Sequence, residues 1–512
     1  MNDKPKSKLH WRLLRWGLIA LAVLVTLAAA LVTEENWRAK RDWENYKRAA
    51  ELRGERFDLA SLVPPVPDDQ NFFGAPIVAE TLKLNRAASA NGAAPHGMNS
   101  ASRLNFNIYP GDLDHSPTNG GNWQKGKLTD LKEWQTYFRN YAASSEGKAA
   151  GFSVPEHAQT PAADILFALK AHNPALAELR QASLRPYARI PLNYENGFET
   201  AGELMPWLAT TKRCAQFLQL RTLAELEDGQ SQAALDDINL MFRVSDSVRA
   251  QPFLISHLVR IAIATINLQS IYEGLMKHRW SEAQLTELEQ QLARQDFLTD
   301  FEFTMRGEKN TAVETFEKQR ISRESKQMVE IGGTNKIETT SYRFMPSAYF
   351  YRNELTFAQM HERFIVPLAD LTNRIVAPAS LLRAEMAVQS EFKHYSPYTI
   401  HARMLHPAIA KAVEKFARIQ MHIDLARVAC ALERFHLVQG NYPETLHKLA
   451  PGFIEKIPHD LINGEPLHYR KTEDGRFILY SIGWDEKDDG GNVFLNKSGA
   501  VDQKKGDWVW KY

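Results

Sequence analysis

Residues 426–491 read ARVACALERFHLVQGNYPETLHKLAPGFIEKIPHDLINGEPLHYRKTEDGRFILYSIGWDEKDDGG. In order, the stretch holds a helix, a stop, a loop, a hairpin and an acidic turn. Apolar residues recur at helical spacing through Ile409, Val413, Phe416, Ile419 and Ile423, and then through Leu425, Val428, Leu432 and Phe435. This spacing predicts a long helix with one wide buried face. Pro407 suits its first turn, where the missing N–H has no intrahelical partner. Gly440 and Asn441 tolerate the left-handed conformation that closes a helix, and Pro443 prevents the helix from resuming.

Two strands are predicted next, over 467–471 and 476–482, both rich in aromatic and branched residues. Asp474-Gly475 between them favours a tight hairpin turn. The second strand is apolar on both faces at Phe477-Ile478-Leu479-Tyr480. One face is expected on the long helix, and the other needs cover from a loop or a neighbouring domain. Residues 507–511 (DWVWK) are the candidate third strand.

The order of these signals is itself informative. The helix is followed by Gly440-Asn441-Tyr442-Pro443, Leu446 and Leu449, Ile457-Pro458-x-Asp460 and Gly464-x-Pro466-Leu467-x-Tyr469. Then come Leu479-Tyr480-Ser481-x-Gly483-x-Asp485, Gly490-Gly491 and a closing Asp507-Trp508. This pattern resembles the C-terminal part of the major pseudopilin family of type II secretion systems, over about the last fifth of the chain. The resemblance implies a long helix packed on a small antiparallel sheet, a place in a secretion or envelope-assembly complex, and calcium bound in the C-terminal loop. The calcium ligands carry over to Asp485 and Asp507, and by proximity to Asp488 and Asp489. The N-terminus, MNDKPKSKLHWRLLRWGLIALAV, has neither the family's Gly-Phe cleavage site nor its Glu at the head of the membrane helix. The chain therefore reads as a larger anchored protein that carries a pilin-like module.

An apolar run, 16–32, is broken only by Thr26. At ~1.5 Å per residue it spans roughly 26 Å, and Trp11, Leu13 and Leu14 extend it if Arg12 and Arg15 snorkel. Lys4, Lys6, Lys8, Arg12 and Arg15 precede the run, and Glu34 and Glu35 follow it. The basic side stays in the cytoplasm, which places the rest outside. The alternative is a cleaved signal peptide with Ala28-Ala29-Ala30 as its small-residue site. The long apolar core favours an uncleaved anchor, and both readings export the body.

A charged helix is expected over 34–53, and Val63-Pro64-Pro65-Val66-Pro67 makes a stiff break. Residues 87–127 are rich in Asn, Gly, Ser and Pro and read as a long irregular insertion. Helices are predicted over 201–225, 230–249 and 252–277, and Ser281 with Gln284 forms a capping box that opens another. Gly229-Gln230-x-x-x-Ala234-Leu235 is reminiscent of tetratricopeptide-like repeats, but no repeat of that period follows. The third helix is apolar enough to span a membrane. His257, Arg260, Asn267 and Gln269 are costly in lipid and argue for a buried core helix instead. Residues 314–342 read as a solvated helix and loop, and 349–390 as amphipathic helix interrupted at Pro367 and Pro378.

The fold class expected is mainly α with a C-terminal α+β module. The divisions are a basic cytoplasmic tail (1–12), a transmembrane anchor (13–33), a helical-hairpin body (34–400) and the pseudopilin-like module (401–512). A net charge of +1 gives no reason to expect nucleic acid as a partner. Cys214 and Cys430 make neither a disulfide framework nor a metal site, and are expected as buried thiols. Calcium takes about six to eight oxygen ligands, which an acidic loop can supply. Asp485, Asp488, Asp489 and Asp507 are the metal candidates, with a structural role for the ion. His394, His401 and His406 lack a shared helix face and read as packing residues. Ser145-x-x-Lys148 matches a serine–lysine hydrolase pattern without its supporting motifs. Gly-x-Ser-x-Gly, His-Glu-x-x-His and phosphate-loop patterns do not occur. Trp484, Trp508 and Trp510 are expected to close the module's core.

The function expected is that of a non-enzymatic, membrane-anchored scaffold or protein-recognition protein. It would sit in the bacterial cytoplasmic membrane by a single span, with protein partners from a secretion or envelope-assembly complex. The competing expectation is an exported hydrolase acting on envelope polymer, motivated by the Asn/Gly-rich insertion and the scattered acidic and aromatic residues.

Overall fold

The computed structural model describes residues 7–90, 102–109, 117, 120–196, 198–325, 345–393 and 396–512. The chain is mainly helical, with two small antiparallel sheets near its C-terminus. Helix α1 (Ser7–Leu52) runs without a break from the apolar segment into the body. Its first half is exposed, from Trp11 through Val32, and is long and apolar enough to cross a membrane. Its second half is bound into the protein. Ala39, Trp43 and Ala50 form a small core with Phe57, Val313, Ala348 and Tyr351.

The body follows as α2 (Pro76–Ala90), α3 (Leu131–Ala143), α4 (Ser145–Ala149), α5 (Pro161–Leu169) and α6 (Asn173–Ser183). Then come α7 (Phe198–Glu227), α8 (Ser231–Asp246), α9 (Leu254–Met276), α10 (Glu282–Ala293) and α11 (Phe297–Ser325). The helical hairpins expected in the body are present, as α7 packs on α8 and α8 on α9. Both halves of the Ser281/Gln284 capping box are made at the head of α10. Helix α9 is a core helix. His257, Arg260, Asn267 and Gln269 are all buried among protein partners. Beyond α12 (Ser347–Met360) the chain passes through one π-turn and one 3₁₀-turn, ending at Leu368 beside Pro367, before α13 (Pro378–Glu391).

Four expectations need correction. The insertion starts later than residue 87, because α2 runs to Ala90. Its described part is irregular as expected but packed, since Leu104, Phe106, Ile108 and Trp123 are buried in the main core. The helical part of 314–342 is packed rather than solvated. Phe316 is buried, and the Glu314 carboxylate accepts the Leu59 N–H at 2.7 Å. The rest of that segment, 326–342, lies outside the described residues. Pro407 stands inside α14 (Ile400–Ala410), not in the first turn of the long helix. Its missing N–H and the following break at Lys411 separate α14 from α15 (Ala412–Gln439).

The fourth correction concerns α15 itself. It is buried all round from Ala412 to Leu432 with few exceptions, not along one face. Ala417, Ala426, Ala429 and Ala431 leave room for close neighbours, and α9, α10, α11 and the sheet all pack on it. Gly440 closes it with φ of 75°. The main sheet has the order β1 (His468–Lys471), β2 (Phe477–Ser481), then the C-terminal strand. The hairpin expected at Asp474-Gly475 and the third strand are both present. A second hairpin, β3 (Val493–Leu495) with β4 (Val501–Gly506), lies between β2 and β5 (Trp508–Lys511).

The two faces of β2 are covered differently. Phe477 and Leu479 enter the main core, while Ile478 and Tyr480 pack with Val509 and Val493 in a separate cluster. Gly491 lies against this second face. A Cβ there would stand 2.7 Å from Ile478 Cγ2, so the loop can approach only as glycine. Trp510 is fully buried against Trp123 and Tyr272 of the body, so its core is not the module's alone. One continuous core holds residues from Leu59 to Tyr512.

Candidate functional site

The acidic loop is built by backbone turns and then tied down by its own carboxylates. Asp507 lies between β4 and β5 and accepts three backbone N–H groups, from Asp489 (3.2 Å), Gly491 (2.6 Å) and Asn492 (3.3 Å). Burial pushes its carboxyl up from the usual range, and these N–H groups oppose the rise. Asp488 accepts the Gly490 N–H at 2.9 Å and the Tyr480 hydroxyl at 3.0 Å, with His468 Nδ1 at 3.5 Å. The Gly490 N–H is the main reason its carboxyl titrates below the usual range. Asp485 accepts the Gly506 N–H through Oδ2, while its Oδ1 is buried without a partner. Asp489 contributes its own N–H to Asp507 and its carbonyl to Asn492 Nδ2.

These four aspartates share a loop but do not converge. Among the described residues, they do not form a group of three ligand atoms close enough to hold an ion. The two oxygens of Asp507 face N–H donors, which a cation would have to displace. As placed, Asp507 and Asp488 act as backbone clasps.

Asp460, from the Ile457-Pro458-x-Asp460 motif, makes a second clasp. It accepts the Ile462 N–H (2.9 Å), the Ser481 hydroxyl (2.9 Å) and the Ile482 N–H (3.0 Å), and so ties the loop to the end of β2. His401 pairs with the Tyr349 hydroxyl at 2.6 Å, and His406 is buried beside Phe364, which makes both packing residues. His394 lies outside the described residues. Ser145 and Lys148 are exposed on α4. Cys214 and Cys430 are free and buried, and burial pushes the Cys214 thiol up to about 12.

The body holds a cavity of about 530 Å³ between the 186–188 loop, the end of α8 and the head of α11. Asp246 and Asp300 line it. Both are engaged by Arg260, which is fully buried, stacks over Phe297 at 4.4 Å and also donates to Gln295 at 2.6 Å. Arg249 donates to the other Asp300 oxygen at 3.0 Å. Burial raises the Asp300 carboxyl, and the two guanidinium groups oppose that rise.

No family model, curated protein or solved structure matches the chain.

One group was not singled out from the sequence. Glu433 and His436 stand three residues apart near the end of α15, on one face of the helix. His278, at the end of α9, faces them. Its φ of 49° is the left-handed position that normally closes a helix with glycine or asparagine. Each of the three offers a ligand atom within 4.8 Å of the others. The visible signal was Glu-x-x-His in ERFH. The third member, 155 residues away in sequence, had none.

Proposed function

We propose that the chain is a membrane-anchored extracytoplasmic scaffold or protein-recognition protein of the bacterial cytoplasmic membrane, associated with a secretion-like or envelope-assembly complex. The observation that carries this reading is the continuity of α1. An exposed apolar half leads straight into a half that is locked onto α12. Arg352 reaches Glu35 (3.1 Å) and Asp42 (2.9 Å), and Asn36 accepts the Ala348 N–H at 2.7 Å. A helix held in this way fixes the body relative to the span, unlike a span joined by a flexible linker. The basic residues before the span support an N-terminus in the cytoplasm. The pilin-like order of elements at the C-terminus supports a partner in secretion or envelope assembly.

Protease added to intact spheroplasts tests the placement. The body should be cut from outside while the protein stays in the carbonate-washed membrane. Protection until lysis, or release by carbonate, would overturn it.

Calcium in the acidic loop belongs to the same reading, with Asp485 Oδ1 as an oxygen left without a partner inside the fold. A second reading, an exported hydrolase acting on envelope polymer, is favoured by the cavity with Asp246 and Asp300. Polymer cleavage by the purified full chain, lost in both Asp246→Asn and Asp300→Asn while folding is retained, would support it. Equal product release from both variants would remove these carboxylates from any reaction.

A further inference from the structure

We infer that His278, Glu433 and His436 bind a divalent transition metal of the zinc class, a site separate from the acidic loop. Zinc takes imidazole nitrogen and carboxylate oxygen, and two His with one Glu is a set of three protein ligands that leaves one position open.

The carboxylate is prepared for this role. Glu433 is buried, with relative exposure of 1%, and is held at one of its two oxygens. Tyr442 donates to its Oε2 at 2.7 Å, and the Tyr512 hydroxyl, which shares its one proton with the Leu275 carbonyl at 2.5 Å, stands 3.0 Å from the same oxygen. That leaves Oε1 facing His278 Nδ1 at 2.6 Å. Hydrogen bonds of this kind orient a ligating carboxylate and are part of a working metal site.

The imidazoles are also placed. His436 stacks on Tyr442 at a centroid distance of 4.6 Å, and its Nδ1 is buried without a partner. A buried ring nitrogen left unpaired is costly, and a metal would satisfy it. His278 and His436 lie ring to ring, 5.5 Å apart and 27° from parallel. A metal would replace the hydrogen bond between His278 and Glu433, and their ligand atoms, 2.6 Å apart, would have to move apart to admit it.

A cavity of about 290 Å³ adjoins the group, lined in part by Asp474, Gly475 and Arg476 of the β1–β2 turn. The open position is thus accessible to water. The site would join the end of α9, the end of α15 and, through Tyr512, the end of β5. None of these three contacts is near in sequence to the others.

Zinc alone, titrated into tag-free, chelator-stripped full-length protein in mild detergent, tests the assignment. One tight equivalent is expected. His436→Gln, Glu433→Gln and His278→Asn should each weaken that equivalent by about 100-fold or more, since loss even of an outer partner costs 10–100-fold. Asparagine at 278 keeps the left-handed backbone, so that variant separates ligation from folding. Tyr442→Phe should weaken binding roughly tenfold. Cobalt(II) added to the unmodified chain should give the visible bands of a four-coordinate site, a readout that needs no variant to fold. Absence of those bands, or unchanged zinc binding in the folded variants, would overturn the assignment.

Discussion

Gly307 and Gly202 are both helical glycines, yet alanine should act in opposite directions at the two. In an open helix, Gly→Ala is favourable by ~0.5–1 kcal/mol, because glycine loses more backbone freedom on folding. Gly202, in α7, is exposed, and a Cβ there meets nothing within 4 Å. Gly202→Ala should therefore stabilise by close to that amount. Gly307, in α11, is buried against the start of α9. A Cβ there would lie 2.5 Å from the Pro252 carbonyl carbon, and closer still to its oxygen. Backbone cannot rotate away as a side-chain tip can. The neighbouring Leu254 N–H is further fixed to Glu308 at 2.7 Å, so the strand of contact is held on both sides. Overpacking of this kind costs ~1–3 kcal/mol, here toward the upper end. After subtracting the propensity gain, Gly307→Ala should lose about 2 kcal/mol. Urea denaturation in mild detergent, followed by tryptophan fluorescence, reads both. With a slope of ~3 kcal/mol/M, the Gly307→Ala midpoint should fall by ~0.7 M and the Gly202→Ala midpoint should rise slightly. A Gly307→Ala midpoint equal to or above that of the unmodified chain would refute the close α9–α11 packing.

Asp460→Ala leaves two backbone N–H groups and a hydroxyl buried without an acceptor, at ~1–3 kcal/mol each before relaxation. Loss of about 3 kcal/mol or more is expected in the same denaturation assay, and a loss below about 1 kcal/mol would contradict the clasp. Burial pushes the Glu354 carboxyl up to about 8, with Glu317 adding to the rise and Arg320 and Lys47 opposing it. The folded state then holds a proton that the unfolded state gives up near pH 4.5, so stability falls between about pH 4.5 and 8, by up to ~1.4 kcal/mol per pH unit. Glu354→Gln should flatten that part of the stability–pH curve, and an unchanged slope would exclude Glu354 as its source. For the acidic loop, Asp507→Ala should lower the melting temperature equally in calcium and in chelator, because its partners are N–H groups. Calcium taken up at Asp485 Oδ1 should raise the unmodified protein's melting temperature, with the rise lost in Asp485→Ala, and identical curves in calcium and chelator would exclude the ion.

Much of the C-terminal architecture was legible because its signals are local. Gly440 ends α15, Asp474-Gly475 turns β1 into β2, and Ser281 with Gln284 opens α10, each through residues within a few positions of one another. The hairpin of β3 with β4 was not legible, since VDQKKG has a single branched residue, Val501, and no sustained alternation of apolar and polar positions. The depth of α15 was also hidden. Gln420, His422, Asp424 and Glu433 are residue types that usually stay in solvent, but each meets a partner from a distant element or its own turn. Gln420 accepts the Phe297 N–H, and Trp123 packs against His422. The convergence of His278 with Glu433 and His436 depends on the same long-range packing, which no periodicity encodes.

The proposed role is that of an anchored body that works through partners outside the cytoplasm. Brief crosslinking in living cells at native expression, followed by mild-detergent isolation of the full chain, tests this most directly. The expected result is reproducible, near-stoichiometric co-isolation of components of one secretion or envelope-assembly complex, with crosslinks on the body or the C-terminal module. Recovery of the protein as a lone monomer, with no crosslink outside the membrane-spanning half of α1, would contradict it.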